Sequence, residues 1–161
     1  MDIKENWETI RMHFSKSFRS SLHIAIASID SENNPTVTPI GTVFLNRDQT
    51  GFYFEKFTSN IPLNGKTNNK VCLLAVNSSK IFWIKSLFKG KFKSHPAIKL
   101  YGQLGEKRKA TEGELSALKK RLKLTRRLKG HQYLWGEMTS VREITFHKVE
   151  KMKLGKMTSS L

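Results

Sequence analysis

Four strand-like segments follow one another between residues 22 and 76 with no long helix between them, and this order constrains the fold more than any other feature of the chain. Residues 22–29 alternate apolar Leu22, Ile24 and Ile26 with small or polar neighbours, as a half-buried strand does. A turn at 30–35, with Asp30, Asn33, Asn34 and Pro35, reverses the chain. The second strand-like segment, 36–45, is broken early by Pro39 and Gly41, which marks an edge, a bulge or a ligand-facing gap. An aromatic third segment covers 52–57. A fourth, 71–76, is apolar without interruption and is expected to be buried on both faces. Strands joined by turns pair antiparallel, whereas a doubly wound sheet would need a helix after each strand.

The flanking segments add helices. Trp7, Ile10, Phe14 and Phe18 form one apolar stripe at three- and four-residue steps, which predicts a helix over 6–20. Thr111 followed by Glu114 is a capping-box pattern that opens a helix running to about 129. Its inward face is Leu115, Leu118, Leu122 and Thr125; its outward face carries Lys119, Lys120, Arg121, Lys123, Arg126 and Arg127. Residues 81–92 read as a strand followed by a loop, and 97–104 and 141–149 as further strands. The expectation is one α+β domain over 1–161, mainly β, on an antiparallel sheet or barrel.

Composition excludes several classes. Lys and Arg number 29 against 13 acids, a net charge of +16, and 13 of those 16 charges lie in residues 80–130. Such a stretch attracts polyanions or phosphorylated ligands, or only solvates a surface. One cysteine, Cys72, excludes an internal disulfide framework and multi-cysteine zinc sites; within an apolar strand it reads as a small core residue. No segment approaches the roughly 20 apolar residues of a membrane helix, and the polar start at Met1 to Asn6 resembles no signal peptide, so a cytoplasmic protein without a membrane partner is expected. The histidines are scattered, without ligand spacing. The run from Asn60 to Thr67 ends like a phosphate loop in Gly65, Lys66 and Thr67, but too few residues separate it from the next strand for the helix such a loop needs.

The most informative stretch for binding runs from Phe54 to Asn60. There an aromatic strand ends in Lys56, with Thr58 and Ser59 hydroxyls and the Asn60 amide close behind: a point charge and short donors suited to a phosphate. Lys66 follows in the next loop. Residues 36–42 offer unpaired backbone groups near Pro39, suited to the edge of a flat polar ring.

With these residues on view, the chain resembles the pyridoxamine 5′-phosphate oxidase-like family of FMN-binding split barrels. The resemblance rests on AIASID (25–30), NPTVTPIG (34–41), GFYFEK (51–56) and NKVCLL (69–74), covers about 18–104, and continues more loosely in KLYGQLG (99–105) and VREITF (141–146). It implies a six-stranded antiparallel split barrel with flanking helices, a homodimer, and one FMN in each of two clefts between subunits. The second strand, with Val37, Thr38, Ile40, Gly41 and Thr42, would follow the ring and ribityl chain. Glu55, Lys56, Phe57 and Thr58 would lead to the phosphate. The family's Ser-Arg-Lys run is replaced here by Ser59, Asn60 and Ile61, which leaves Lys56 and Lys66 as substitutes; Lys99 loosely matches a partner-strand arginine, and Trp83 joins the expected cofactor residues. The family's substrate-binding C-terminal segment has no counterpart in 135–161. The implied activity is an FMN-dependent oxidoreductase acting on a small molecule. Haem or a deazaflavin on the same barrel, or a flavin-free module holding nucleic acid or another polyanion through 80–130, are the alternatives. The aromatic residues from Phe82 and Trp83 to Phe92 exceed what a small core needs and are expected to help form the two-fold interface.

Overall fold

The computed structural model describes residues 2–161. Its elements are α1 (Trp7–Ser21), β1 (Ile24–Ile29), β2 (Pro35–Ile40), β3 (Val43–Leu45), β4 (Thr50–Phe54), α2 (Asn60–Asn64), β5 (Lys70–Val76), α3 (Lys80–Lys89), β6 (Ala97–Lys109), α4 (Glu112–Arg121), α5 (Lys129–Trp135) and β7 (Ser140–Lys151). The strands form one seven-stranded sheet in the order β2-β1-β5-β6-β7-β4-β3, antiparallel throughout.

The segment at 36–45 accounts for the seventh strand. It breaks at Gly41 and Thr42, and its halves lie at opposite edges of the sheet: β2 pairs with β1, β3 with β4. The three residue steps from Ile40 to Val43 span at most about 11 Å, so the sheet curls until its edges come close together. This join makes a half-barrel of an otherwise open sheet.

Inside the curl, α1 lays Trp7, Ile10 and Phe14 on Ile26, Leu73, Leu100, Ile144 and Phe146, all buried. The Trp7 indole N–H donates to the Asn46 carbonyl at 2.9 Å, and its ring lies 5.8 Å from that of Phe146. A second, smaller core lies beneath α4, where Leu118 with Leu115 and Leu122 covers Phe52, Phe54 and Val141. The capping box at Thr111 and Glu114 forms as expected, with both reciprocal hydrogen bonds present. Gly102 occupies a register shift between β6 and β7, where a Cβ would stand 2.6 Å from the Thr145 carbonyl oxygen. The chain bends there because only glycine lets the two backbones approach so closely.

Six expectations are corrected. Residues 80–89 form helix α3, not a strand: the Ser79 hydroxyl caps Phe82 N–H, and Gly90 closes the helix at φ +61°. A short run of apolar residues carries no period that separates strand from helix, so the caps decide. Strand β5 alternates in burial instead of being covered on both faces, and Cys72 lies half-buried on the outer face of the sheet, not in the core. The third strand ends at Phe54, three residues early. The helix expected to run to 129 stops at Arg121 and resumes as α5, and Arg121 is not on the exposed face, whereas Arg126 and Arg127 are exposed as expected.

Candidate functional site

The edge-to-edge join and the loop after β4 lie side by side. The buried Thr42 hydroxyl donates to the Phe54 carbonyl at 3.3 Å, which ties the join to the end of β4. Beyond Phe54 the chain turns out through Glu55, Lys56, Phe57, Thr58 and Ser59 into α2. The Lys56 ammonium lies 5.0 Å from the Phe57 ring centre and donates to the Tyr133 carbonyl at 3.3 Å; it pairs with no carboxylate among the described residues. Thr58 carries a buried hydroxyl turned toward the Tyr53 phenol without a well-formed hydrogen bond, and Ser59 is exposed beside it. A free cation, an unsatisfied hydroxyl and a second hydroxyl within four residues can receive an anion.

Glu55 serves a different purpose. Its side chain is 6% exposed and gathers three donors: Arg142 Nε at 2.5 Å, the Tyr53 hydroxyl at 3.0 Å and Lys107 Nζ at 3.3 Å. Burial favours the neutral acid, but the Arg142 guanidinium, the Tyr53 hydroxyl and Lys107 outweigh it and hold the carboxyl below its ordinary range. Burial and the neighbouring carboxylate push the Tyr53 phenol well above its own. Glu55 is thus committed to fixing the end of β4 against β6 and β7.

The second half of the expected site opens on a cleft of about 460 Å³ beside α2, where Asn60, Lys66 and Thr67 face Asp30 and Glu32. Beneath it, Asn64 donates to the Ser28 and Thr36 hydroxyls at 2.9 and 3.0 Å, a buried polar triangle that pins α2 to the β1–β2 hairpin. Sequence reasoning missed this triangle because its members lie 8 to 36 residues apart. Lys66 forms no ion pair with either carboxylate among the described residues, but Asp30 and Glu32 on the same cleft make it less favourable to a phosphate than the surroundings of Lys56.

The remaining expected residues are spread out. Ile40 is buried in the core, so only its backbone could meet a ring, and Gly41 lies at the join. Val37 is exposed on the outer face of β2, in the cross-strand row Val37, Ala27, Cys72, Tyr101 and Lys148; the next row on that face is Pro39, Ala25, Leu74, Lys99 and Glu150. Thr38 points to the opposite face of β2. Lys99 stands three strands from β2, about 14 Å at the usual strand spacing, so it does not meet the join within one chain. Trp83 lies on α3, where its indole N–H donates to the Asn77 carbonyl at 2.7 Å and its ring meets Phe92 edge-on at 5.2 Å. Phe82, Trp83 and Phe92 pack on one another within the chain.

Among the described residues no group of three His, Cys, Asp or Glu could hold a metal ion. His13 and His95 line one small cavity; their rings meet the carbonyls of Ala75 and Met152 at 3.2 and 3.1 Å. Burial, with Lys16 near one ring and Lys151 and Lys153 near the other, holds both below the ordinary value of 6.5. The unfolded chain therefore takes up these protons first, and stability should fall as the pH drops through 6.5. Thermal unfolding between pH 7.5 and 5.5, roughly a unit either side of a free histidine, checks this. The double variant His13→Gln, His95→Gln should flatten the decline, and an unaltered slope would assign it to other groups.

Neither a protein-family model nor a curated protein matches the sequence. Solved structures do match. An FMN-binding protein from Syntrophomonas wolfei subsp. wolfei superposes with a TM-score of 0.61 at 15% identity, over 94% of each chain. HupZ of Group A Streptococcus superposes with a TM-score of 0.59 at 16% identity, over 92% of this chain and 94% of that one. The protein has the split-barrel fold of the pyridoxamine 5′-phosphate oxidase-like proteins. An F420 reductase shares the same split barrel, with a TM-score of 0.55 at 10% identity over 81% of this chain and 90% of that one.

Proposed function

We propose that this split barrel binds FMN and acts as an oxidoreductase on a small molecule. The observation that carries the reading is the loop after β4, where the unpartnered Thr58 hydroxyl sits with Lys56 and Ser59 beside the join of the two sheet edges. These residues suit a dianionic phosphate: one ammonium unopposed by acid and two hydroxyls. The exposed backbone of β2 from Val37 to Gly41 would follow the ring system. When bound, the flavin supplies the hydride exchange; the protein supplies position and charge.

The reading includes a homodimer. On the outer face, Ala25, Ala27, Pro39, Val37, Cys72 and Leu74 make a contiguous patch of mostly small apolar side chains bordered by Lys99 and Tyr101. A second copy on this face would cover the patch and bring its own Lys99 toward the cleft, which a single chain cannot do.

FMN titration followed by flavin fluorescence tests the site. A charge-assisted hydrogen bond contributes roughly 1.5–3 kcal/mol, so Lys56→Ala should weaken FMN by about ten- to a hundredfold. Thr58→Val should cost less, because one neutral donor is lost. Lys66→Ala, in a cleft that also holds Asp30 and Glu32, should change affinity little. A large effect at Lys66 with none at Lys56 would move the phosphate to the α2 cleft. A colourless protein that ignores FMN yet binds polyanions in a salt-sensitive way would replace the reading with that of a flavin-free basic module.

A further inference from the structure

Helix α3 carries its apolar side chains outward. Ile81, Ile84, Leu87 and Phe88 are 66%, 56%, 63% and 91% exposed, and three of them recur at i, i+3 and i+7 as one ridge. The opposite side of the helix, through Phe82 and Trp83, rests on Phe92 and anchors α3 to the barrel. Beside the ridge lies a hollow of about 380 Å³, floored by Phe82 and Phe92 and rimmed by Lys85, Lys89, Lys91 and Lys93. From residue 56 through 105 the sequence contains no acid, while 80–99 holds six lysines.

We infer that α3 is a surface-docking helix that lies in the interface of a membrane rich in anionic lipid. The ridge enters the boundary between headgroups and acyl chains, and the lysine-rimmed hollow beside it takes lipid phosphates. Each feature of α3 fits this occupant better than the others available. A second copy related by a two-fold axis would set lysines against lysines. A nucleic acid would satisfy the lysines but leave an isoleucine-, leucine- and phenylalanine-tipped ridge in water. An anionic bilayer meets both the charge and the apolar surface. No described helix is long and apolar enough to cross a membrane, but lying in the interface needs no such length. The expectation of a chain without a membrane partner rested on the missing span and the polar start of the chain, and neither bears on a helix that lies in the interface.

Sedimentation of the whole protein with lipid vesicles tests the inference. It should bind phosphatidylcholine vesicles containing about a third phosphatidylserine and bind pure phosphatidylcholine far more weakly. Removing two apolar side chains that the membrane would bury, in Ile84→Ser, Phe88→Ser, should weaken binding by about tenfold or more. Each lysine lost in Lys85→Ala, Lys89→Ala should cost about fivefold, less at high salt. All four residues are exposed, and circular dichroism confirms that the variants fold. Absence of vesicle binding, or binding unchanged in Ile84→Ser, Phe88→Ser, overturns the inference. So does light scattering that shows this double variant converting a dimer into monomers without lipid, because the ridge then belongs to a second copy. Tighter binding to duplex DNA than to the anionic vesicles, kept in the ridge variant, assigns the lysines to nucleic acid instead.

Discussion

Glu55→Ala is expected to destabilise the protein by about 3 kcal/mol, toward the lower end of what breaking a buried ion pair costs. The carboxylate is nearly enclosed, and its removal leaves Arg142, 18% exposed at its side chain, and the fully buried Tyr53 without their shared acceptor. Arg142 keeps one hydrogen bond, to the Gly105 carbonyl at 3.1 Å, which moderates the loss. Glu55→Gln preserves shape and one acceptor and should cost about half as much. Denaturant unfolding reads both, and a midpoint for Glu55→Ala within error of the parent protein would remove the cluster from the account of stability. The pH dependence supplies a second check. The folded carboxyl titrates below its ordinary value of 4.5, so its contribution is complete above that pH and is lost as the pH falls through the lower, folded value. The stability gap between parent and Glu55→Ala should therefore narrow below pH 4.5.

Arg121→Ala should cost about 3 kcal/mol through lost packing and two cation–π contacts. The guanidinium is stacked between two rings, 3.5 Å from the centre of Phe44 and 4.3 Å from that of Phe18, and Nη1 donates to the Val43 carbonyl at 2.5 Å. It therefore clamps the last turn of α4 to β3 and to α1. No carboxylate pairs with it among the described residues, and burial pulls its pKa down to about 10, so it stays charged at neutral pH. The ring faces and the negative end of α4 stand in for a counter-ion. Arg121→Lys keeps the charge but loses the planar stack on the two rings, so it should recover less than half of the loss. Arg121→Met separates packing from charge. If it matches the parent in thermal unfolding, the stack contributes through contact alone and the cation–π account fails.

Both residues look ordinary in the chain. Arg121 stands in a row of basic residues and reads as one more exposed cation; only the fold of β3 against α4 and α1 supplies the two rings. Glu55 reads as part of a ligand loop because it directly follows an aromatic strand. Its three donors come from residues 2, 52 and 87 positions away, a set no local pattern reveals. The Thr58 hydroxyl was legible as a donor from its neighbours Lys56 and Ser59, but its lack of a partner is a property of the packed structure.

Features that depend on local periodicity and caps can be read along the chain. The apolar stripe of α1, the hairpin after β1 at Asp30 to Pro35, the capping box of α4 and the antiparallel class of the sheet all follow from neighbours within a few residues. Features that depend on closure of the sheet cannot be read that way. Whether Pro39 and Gly41 mark a bulge, an edge or a gap has no local answer, because the break becomes a join between two sheet edges only when the sheet curls. That curl follows from strand twist summed over seven strands and from α1 filling the interior, both non-local. The same holds for α3, where packing of Phe82 and Trp83 on Phe92 sets which side of the helix is held by the barrel and which is left facing outward.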